Sequence, residues 1–371
     1  PYSETSLKFA GTKQFVLRSY TGKYQLYKDV FDAVKKAGYS PISGPYYGGA
    51  LSGFHAKFKL AETLDARAKV AKAAITNKGW TANELSIFTS GNLGTYTRTE
   101  DLPWRVLKAG TFQMGSSPNA KCKGKGENRH AVTLTRDFMI SRFEVTQEDF
   151  KVLMGSNPAL LKGGKTTPFQ PVENISWSEA VAFLNKASSI YKVTPCYKCT
   201  GTGKTVTCAV EKAYEGAKIY TCPGFRLPTE AEWEYAYRAG SATPMYPING
   251  SSGNITSCNV SDPHADKIAW YNANTKLSHM PVGRKAPNAW GLYDMAGNVY
   301  EWIHDWYKEE LGILALTDPI GPSSGKEKVM RGGCYTNWPW YLRAAYRGKY
   351  APDKRHTGTG FRWARTYFPK P

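Results

Sequence analysis

The chain has 371 residues, 41% of them hydrophobic, and carries a formal net charge of +19 at pH 7. This composition is typical of a soluble globular chain long enough for two domains, and no apolar run approaches the roughly 20 residues that span a bilayer. Lysine and arginine are dispersed along the chain, which favours a solvated basic surface and does not specifically indicate nucleic-acid binding.

The first hundred residues are predicted to form a separate α+β domain, residues 1–100. Strands are expected at Gln14–Ser19, 40–47, 54–60 and 85–89, and helices at 24–37 and 62–77, with a turn at Gly48 and Gly49 between the middle strands. The resulting order, strand–helix–strand–strand–helix–strand, is that of a ferredoxin-like unit with four antiparallel strands. This part of the sequence contains no catalytic constellation, and the isolated His55 is interpreted as a structural residue.

A polar linker is predicted at residues 95–103, before a second domain at residues 104–371. Strands are expected at 111–116 and 131–136, on either side of a basic loop at 122–128 (CKGKGEN). Three helix starts follow, and in each a hydroxyl residue stands three positions before a carboxylate: Thr146 and Asp149, Ser176 and Glu179, Thr229 and Glu232. This reciprocal capping pattern predicts three short helices in a loop-rich domain.

Four cysteines, Cys196, Cys199, Cys208 and Cys222, lie together in one insertion. Four thiolates at this spacing are able to hold a tetrahedral zinc ion, but the zinc-knuckle motif CYKCTGTG occurs only once. In an oxidising compartment such cysteines pair as disulfides. Disulfides or free thiols are therefore favoured over zinc, and the choice between the two stays open.

Aromatic residues are densest at residues 288–307 (NAWGLYDMAGNVYEWIHDWY), which predicts a packed interior. Gly291 and Gly297 mark tight turns there. Asp294 and Glu301 are carboxylates in this apolar setting, where they are costly unless a cation satisfies them. They are candidate metal ligands; the alternative is that they cap local turns without a metal.

Eight segments occur in order between residues 104 and 365: FQMGS, EVTQEDF, NPALLKGG, PVENISWSEAVAFLN, FRLPTEAEWEYAYRAG, PVGRKAPNAWGLYDMAGNVYEW, KVMRGGCY and TGFRWAR. In these segments the chain resembles the formylglycine-generating enzyme (sulfatase-modifying factor) family. The resemblance implies an elaborated C-type lectin fold, preceded here by the small ferredoxin-like α+β domain. It also implies a structural calcium ion held by the side chains of Asp294 and Glu301 and the backbone carbonyls of Gly297 and Val299. The family has Asn where this chain has Asp294, which keeps an oxygen donor and adds charge.

The oxidases of the family use two cysteines that follow the sequence RGGSW to bind copper. This chain has Asn337 and Leu342 at the matching positions, and Cys334 stands earlier, where it is interpreted as a lone buried thiol. Copper(I) is bound by soft thiolate ligands, and this chain lacks both of the family's thiols. We therefore expect no catalytic residues, no redox cofactor and no enzyme activity. The alternative is a copper-dependent oxidoreductase or sulfatase-modifying relative with a degraded active site.

Residues 335–358 interleave framework arginines with aromatic and polar residues on loops, a composition typical of binding surfaces. The candidate ligand-binding residues are Asn337, Trp338, Trp340, Tyr341, Tyr346, Lys349 and Tyr350. The alternative is that these aromatics complete the core. The framework from RGG to GFR resembles the variable proteins of diversity-generating retroelements, which carry a C-terminal variable segment on such a scaffold and are displayed on a cell or phage surface.

The resulting hypothesis is a non-catalytic, extracytoplasmic protein of the cell surface that binds an unknown protein or surface ligand. A purely structural surface protein is a third reading. The sequence begins at Pro1 without a methionine or a signal-like start, so a removed N-terminal segment is expected, with membrane anchoring through it as an open alternative.

Overall fold

The computed structural model of the protein describes residues 5–10, 14–19, 40–46, 54–59, 104–161 and 169–368. The chain divides into two compact units, Pro1–Pro103 and Trp104–Pro371. Within the described ranges, no helix combines the length and apolar character needed to cross a membrane.

The described part of the first unit is an antiparallel sheet of β1 (Thr5–Ala10), β2 (Gln14–Ser19), β3 (Ser40–Tyr46) and β4 (Phe54–Lys59) in the order β1-β2-β4-β3. The order β2-β4-β3 is that of the first three strands of a ferredoxin-like unit. Strand β1 was not predicted, and it pairs with β2 from Thr5↔Ser19 to Ala10↔Gln14. The predicted helices, the strand at 85–89, the turn at Gly48 and Gly49, and the linker lie outside the described residues.

The second unit contains the helices α1 (Gln147–Met154), α2 (Trp177–Ile190), α3 (Glu230–Arg238) and the short α4 (Ala265–Ile268). Thr146, Ser176 and Thr229 cap the first three helices with the reciprocal hydrogen bonds that the sequence predicts. Each pair satisfies two backbone N–H groups that the first turn leaves without partners, which explains why these short helices begin at those residues. The helices α2 and α3 each bury an apolar face, formed by Ala180, Phe183 and Leu184 on α2 and by Trp233, Ala236 and Tyr237 on α3.

Three small sheets build the rest of this unit, with the orders β12-β7-β6, β16-β8-β5 and β14-β13-β11-β15. Their strands are β5 (Trp104–Leu107), β6 (Gly110–Met114), β7 (His130–Leu134), β8 (Phe138–Ser141), β11 (Tyr300–Trp306), β12 (Leu316–Thr317), β13 (Lys328–Arg331), β14 (Gly348–Tyr350), β15 (Thr359–Gly360) and β16 (Ala364–Thr366). The strands β9 (Tyr197–Thr200) and β10 (Thr207–Val210) form a separate hairpin.

Strand β11 lies at the centre of this unit, between the antiparallel β13 and the parallel β15. Every residue from 294 to 305 is buried, as the aromatic density of residues 288–307 predicts. The prediction is too broad at the two ends, where Trp290, Tyr293, Trp306 and Tyr307 are half-buried. Gly297 has a φ of 78°, and a β-carbon there would overlap the carbonyl oxygen of Trp270, so only glycine fits this turn.

Three disulfides cross-link this unit. Cys199 and Cys208 face each other across the β9–β10 hairpin, and Cys196 and Cys222 close its base. The preference for disulfides or free thiols over zinc is confirmed, and the open choice between those two falls to disulfides, because all four sulfur atoms of the insertion are consumed in S–S bonds. The third bond, between Cys122 and Cys258, was not predicted, and it joins the basic loop to a segment 136 residues further along the chain.

Candidate ligand-binding surface

Five of the seven predicted ligand-binding residues lie on the irregular segment between β13 and β14. Lys349 and Tyr350 instead lie on β14 itself, because this part of the chain pairs with β13, so the prediction that they lie on a loop is wrong. Gly332 and Gly333 turn the chain out of β13 with φ values of 94° and 73°, and a single 3-10 turn follows at Pro339–Leu342. None of the seven predicted side chains is buried: Lys349 is exposed and the other six are half-buried. The alternative that these aromatics form the core therefore does not describe the fold.

Three of the seven side chains form a continuous cluster, which we call the aromatic triad: Trp340, Tyr341 and Tyr346. Their ring centroids are separated by 5.2 Å for Trp340–Tyr341, 4.9 Å for Tyr341–Tyr346 and 6.2 Å for Trp340–Tyr346. Burial raises the pKa of Tyr346 to about 12, and its hydroxyl is hydrogen-bonded to that of Tyr300. The phenol therefore stays protonated at neutral pH, and the cluster combines a large apolar surface with hydrogen-bonding groups.

The other predicted residues are engaged elsewhere. The side-chain oxygen of Asn337 accepts a hydrogen bond of 2.9 Å from the backbone N–H of Cys334, and the carbonyl of Trp338 accepts one of 3.0 Å from the N–H of Tyr341. The Tyr350 ring packs on His356 at 5.7 Å. The Lys349 ammonium lies 4.9 Å from the centre of the Tyr307 ring and forms an exposed ion pair of 3.0 Å with Glu327. None of these contacts involves a ring of the triad.

Two arginines anchor the backbone that carries the triad. Arg343 binds both oxygens of the buried Glu127 at 2.6 and 2.8 Å, and its Nε donates to the carbonyl of Trp340 at 2.9 Å. Arg347 binds both oxygens of Glu230 at 2.6 and 2.9 Å. Burial alone would raise the pKa of Glu127, but the hydrogen bonds from Arg343 outweigh it and lower the pKa. Such two-pronged pairs fix orientation as well as position, so the triad stands on a rigid support.

The positions of the catalytic thiols are filled as the sequence indicates. Leu342 is fully buried, and its carbonyl accepts a hydrogen bond of 2.6 Å from the Tyr237 hydroxyl. Cys334 is the one cysteine of the seven outside a disulfide, and its side chain is 1% exposed. Burial raises the pKa of this thiol, which keeps it in the unreactive protonated form.

The predicted calcium ligands lie in a region with an excess of buried negative charge. Asp294, Glu301 and Glu144 are all buried, and among the described residues the guanidinium that pairs with this group is that of Arg362, whose Nε lies 2.7 Å from Glu301 Oε2. Oδ1 of Asp294 and Oε1 of Glu301 are buried without a hydrogen-bond partner among the described atoms. Burial raises the pKa of Asp294 to about 6 and that of Glu144 well above its usual value.

These donors fit a hard divalent cation, because such an ion would satisfy the two orphaned oxygens and offset the excess charge. The described residues hold no cluster of three or more His, Cys, Asp or Glu side chains around one point. A bound ion would therefore need backbone carbonyls as well, as the assignment of Gly297 and Val299 assumes.

Two neighbours of the triad were not predicted from the sequence. Tyr300 is hydrogen-bonded to Tyr346, and the ring of Tyr307 lies under the Arg347 guanidinium at 4.8 Å. Both belong to the stretch 288–307, whose aromatic density was assigned wholly to the core. No signal in the sequence separates the ends of that stretch from its middle.

The family of the chain follows from comparison with known proteins. The sequence profile of the sulfatase-modifying factor enzyme 1-like domain matches residues 93–367. The chain belongs to this family. It is 29% identical over 301 residues to the chaperone protein LppX of Paenibacillus barcinonensis, covering 75% of this chain and 92% of LppX. It is 30% identical over 204 residues to the formylglycine-generating enzyme of Mus musculus, covering 54% of this chain and 45% of that enzyme.

Among solved structures, the chain is similar to Treponema denticola variable protein 1. The TM-score is 0.59 and the identity 30%, over 71% of this chain and 94% of that protein. The resemblance to the formylglycine-generating enzyme family and to a variable protein is thus confirmed, and with it the C-type lectin fold. The chain is similar to formylglycine-generating enzymes as well as to a variable protein, so membership of the family by itself does not decide whether the chain is catalytic.

Disulfides persist in oxidising compartments. This unit contains three disulfides, and the chain is similar to LppX and to the Treponema denticola variable protein. The protein is therefore extracytoplasmic.

Proposed function

We propose that the protein is a non-catalytic ligand-binding protein of the cell surface, and that the aromatic triad is the centre of its binding site. Asn337, Trp338, Lys349 and Tyr350 form the rim of this site. The ligand class is a protein or another surface-borne molecule.

The observation that carries the proposal is the combination of partial exposure and rigid support at the triad. Trp340, Tyr341 and Tyr346 are half-buried, while Arg343 and Arg347 hold the backbone beneath them through buried ion pairs. Rigid Trp and Tyr side chains give a large contact area at a low entropic cost, and such residues dominate binding energy at protein interfaces. A surface of this kind needs little reorganisation when a ligand binds.

The absence of thiol chemistry supports a binding role over the oxidoreductase alternative. A second thiol for Cys334 would have to come from one of the three disulfides, since these contain the other six cysteines. The buried carboxylates Asp294 and Glu301, with the carbonyls of Gly297 and Val299, would hold a calcium ion that supports the scaffold beneath the site. Such an ion would stabilise the fold and would not contact the ligand.

We also propose that the rim and the triad belong to one variable segment, residues 335–358, because the chain is similar to a protein named for its variability. Coding sequences of sister isolates across residues 335–358 test this. Substitutions grouped at the rim and triad, with Arg343, Arg347 and Gly360 unchanged, are the expected result. Substitutions spread evenly over residues 104–368 would contradict it.

The binding role is tested by selecting a displayed random-peptide library on the full chain. Affinities of the recovered peptides are then measured for the wild type, Trp340→Ala and Tyr346→Ala. Each replacement is expected to cost on the order of 2 kcal/mol of binding, about a thirtyfold loss of affinity, if the residue is a hot spot.

The matched control is Tyr214→Ala, which removes a half-buried tyrosine from the disulfide-linked insertion. It should leave the affinities unchanged. Peptides that bind the wild type and both triad variants equally well would place the binding site elsewhere and refute the proposal.

A further inference from the structure

The basic loop at 122–128, taken here together with the flanking Lys121 and Arg129, is a second feature beside the aromatic triad that the binding proposal does not use. It carries Lys121, Lys123, Lys125 and Arg129, all with exposed side chains, and one carboxylate, Glu127, which is buried. Glu127 is neutralised by Arg343 from the opposite side. The outward charge of the loop is therefore strongly positive.

Two attachments and one close approach place this loop against the triad. The Cys122–Cys258 disulfide joins it to Cys258, whose carbonyl accepts a hydrogen bond of 3.0 Å from the backbone N–H of Trp340. The Arg343–Glu127 pair ties the loop to the residue that also holds the Trp340 carbonyl. A β-carbon placed on Gly124 would lie 3.9 Å from Nε1 of Trp340, so the backbone of the loop passes along the edge of the indole.

Three cations of the loop, Lys123, Lys125 and Arg129, form no ion pair with any residue that the structure describes. Lys121 is hydrogen-bonded to the carbonyl of Thr256, which fixes the start of the loop. A cluster of cations without partners, set beside an apolar centre, attracts a ligand that carries both negative charge and apolar groups.

We infer that the basic loop is the second wall of the binding site and selects acidic protein segments as ligands. The apolar side chains of such a segment contact the triad, and its carboxylates lie against Lys123, Lys125 and Arg129. This inference rests on the proposed binding role of the triad and adds the chemical class of the ligand.

A nucleic acid fits this surface less well. Carboxylates stand next to the loop: Glu310 accepts a hydrogen bond of 2.7 Å from Asn128, and the backbone of Glu309 packs against Gly126. Glu327 pairs with Lys349 at the rim. The backbone of a nucleic acid carries a negative charge at every nucleotide, so some of its phosphates would lie close to these carboxylates and be repelled by them. The carboxylates of a peptide are fewer and separate, so each of them can lie next to a cation of the loop. Mixed charges of this kind favour discrete pairing with a protein partner.

The test uses peptides selected on the full chain that lose affinity with Trp340→Ala. Their sequences should be enriched in Asp and Glu. The triple variant Lys123→Ala/Lys125→Ala/Arg129→Ala should weaken their binding about tenfold at low salt, and the difference should shrink in 0.5 M salt because exposed charges are screened. The control, Lys198→Ala/Lys204→Ala/Lys212→Ala, removes the same charge from exposed positions of the insertion and should leave affinity within about twofold.

Three results would overturn the inference while the proposed function stands. In the first, the peptides depend on Trp340 but are not acidic and bind the loop variant normally. In the second, both triple variants weaken binding equally, which would assign the effect to net charge alone. A loop-dependent affinity for a single-stranded oligonucleotide above that for the peptides would also overturn it, in favour of nucleic acid. Peptides that do not depend on Trp340 at all would instead refute the proposed function.

Discussion

Replacing Arg343 by Met is the perturbation that best separates the framework of the site from its surface. Arg343 is 1% exposed and its guanidinium binds both oxygens of Glu127, which is 3% exposed. The variant leaves the carboxylate of Glu127 buried with the Ser116 hydroxyl, at 2.6 Å, and the backbone of Gly124 as its partners. We therefore expect a loss of stability.

The expected size follows from the burial of both partners. Breaking a buried ion pair by removing one side costs about 3–5 kcal/mol, because the remaining charge is left without compensation. Removing the exposed Lys349–Glu327 pair by Lys349→Met should cost less than about 1 kcal/mol. The double variant Arg343→Met/Glu127→Gln should be less destabilised than the sum of its single variants by about 0.5–3 kcal/mol.

Urea unfolding of the full chain, followed by tryptophan fluorescence, measures these differences. Trp80 is the one tryptophan before residue 104, so the other ten of the eleven report on the second unit. The effect should also depend on pH. The pKa of Glu127 is lowered in the folded protein, so the pair stabilises the fold above the unfolded pKa of 4.5 and this contribution is lost as the pH falls through the folded pKa. The gap between wild type and Arg343→Met should therefore shrink below pH 4.5.

A free energy of unfolding for Arg343→Met within 1 kcal/mol of the wild type, at an unchanged denaturant slope, would refute this reasoning. Strict additivity of Arg343→Met and Glu127→Gln would do the same, because it would mean that the two groups do not interact.

Three further predictions concern the scaffold and its chemistry. A chelator should lower the melting temperature of the wild type but not that of Asp294→Ala, because an ion that binds only the native state stabilises it. The calcium site would be rejected if the chelator had no effect on the wild type and Asp294→Ala melted at the wild-type temperature. A copper-loaded sample should form no aldehyde on a cysteine-containing sulfatase peptide, since Asn337 and Leu342 replace the thiols, and an aldehyde detected by mass spectrometry would contradict the assignment. Replacing Cys122 and Cys258 by Ser should lower the free energy of urea unfolding by about 5 kcal/mol, and replacing Cys199 and Cys208 by about 3 kcal/mol. The reason is that the first disulfide closes a loop of 136 residues and the second a loop of 9, and a longer loop loses more entropy when it is closed in the unfolded chain. The reverse order of the two losses would contradict this reason.

Local features of this protein could be read directly from its sequence. The helix caps at Thr146, Ser176 and Thr229 depend only on residues three positions apart, and the structure has them as expected. The family, and with it the fold, was recognisable because its segments keep their order along the chain. The replacement of both family thiols needed only the residue names at positions 337 and 342.

The grouping of the site residues was decided by the tertiary structure. Sequence proximity placed seven residues in one site, whereas packing brings Trp340, Tyr341 and Tyr346 into one cluster and turns Tyr350 towards His356. The half-burial of the two ends of residues 288–307 was likewise set by tertiary contacts: Trp290 packs against Tyr235, and the cations of Arg347 and Lys349 lie over the Tyr307 ring.

The position of the basic loop could not be predicted from the sequence either, because it depends on contacts between residues far apart in the chain. Its charge is visible in the sequence, but its place beside Trp340 depends on a disulfide that spans 136 residues and an ion pair between Glu127 and Arg343. Neither contact leaves a periodic or local pattern, because both partners are chosen by how separate strands and loops pack. The sequence by itself therefore determined the family, the capped helices and the lost thiols, and only the folded chain decided what stands next to the triad.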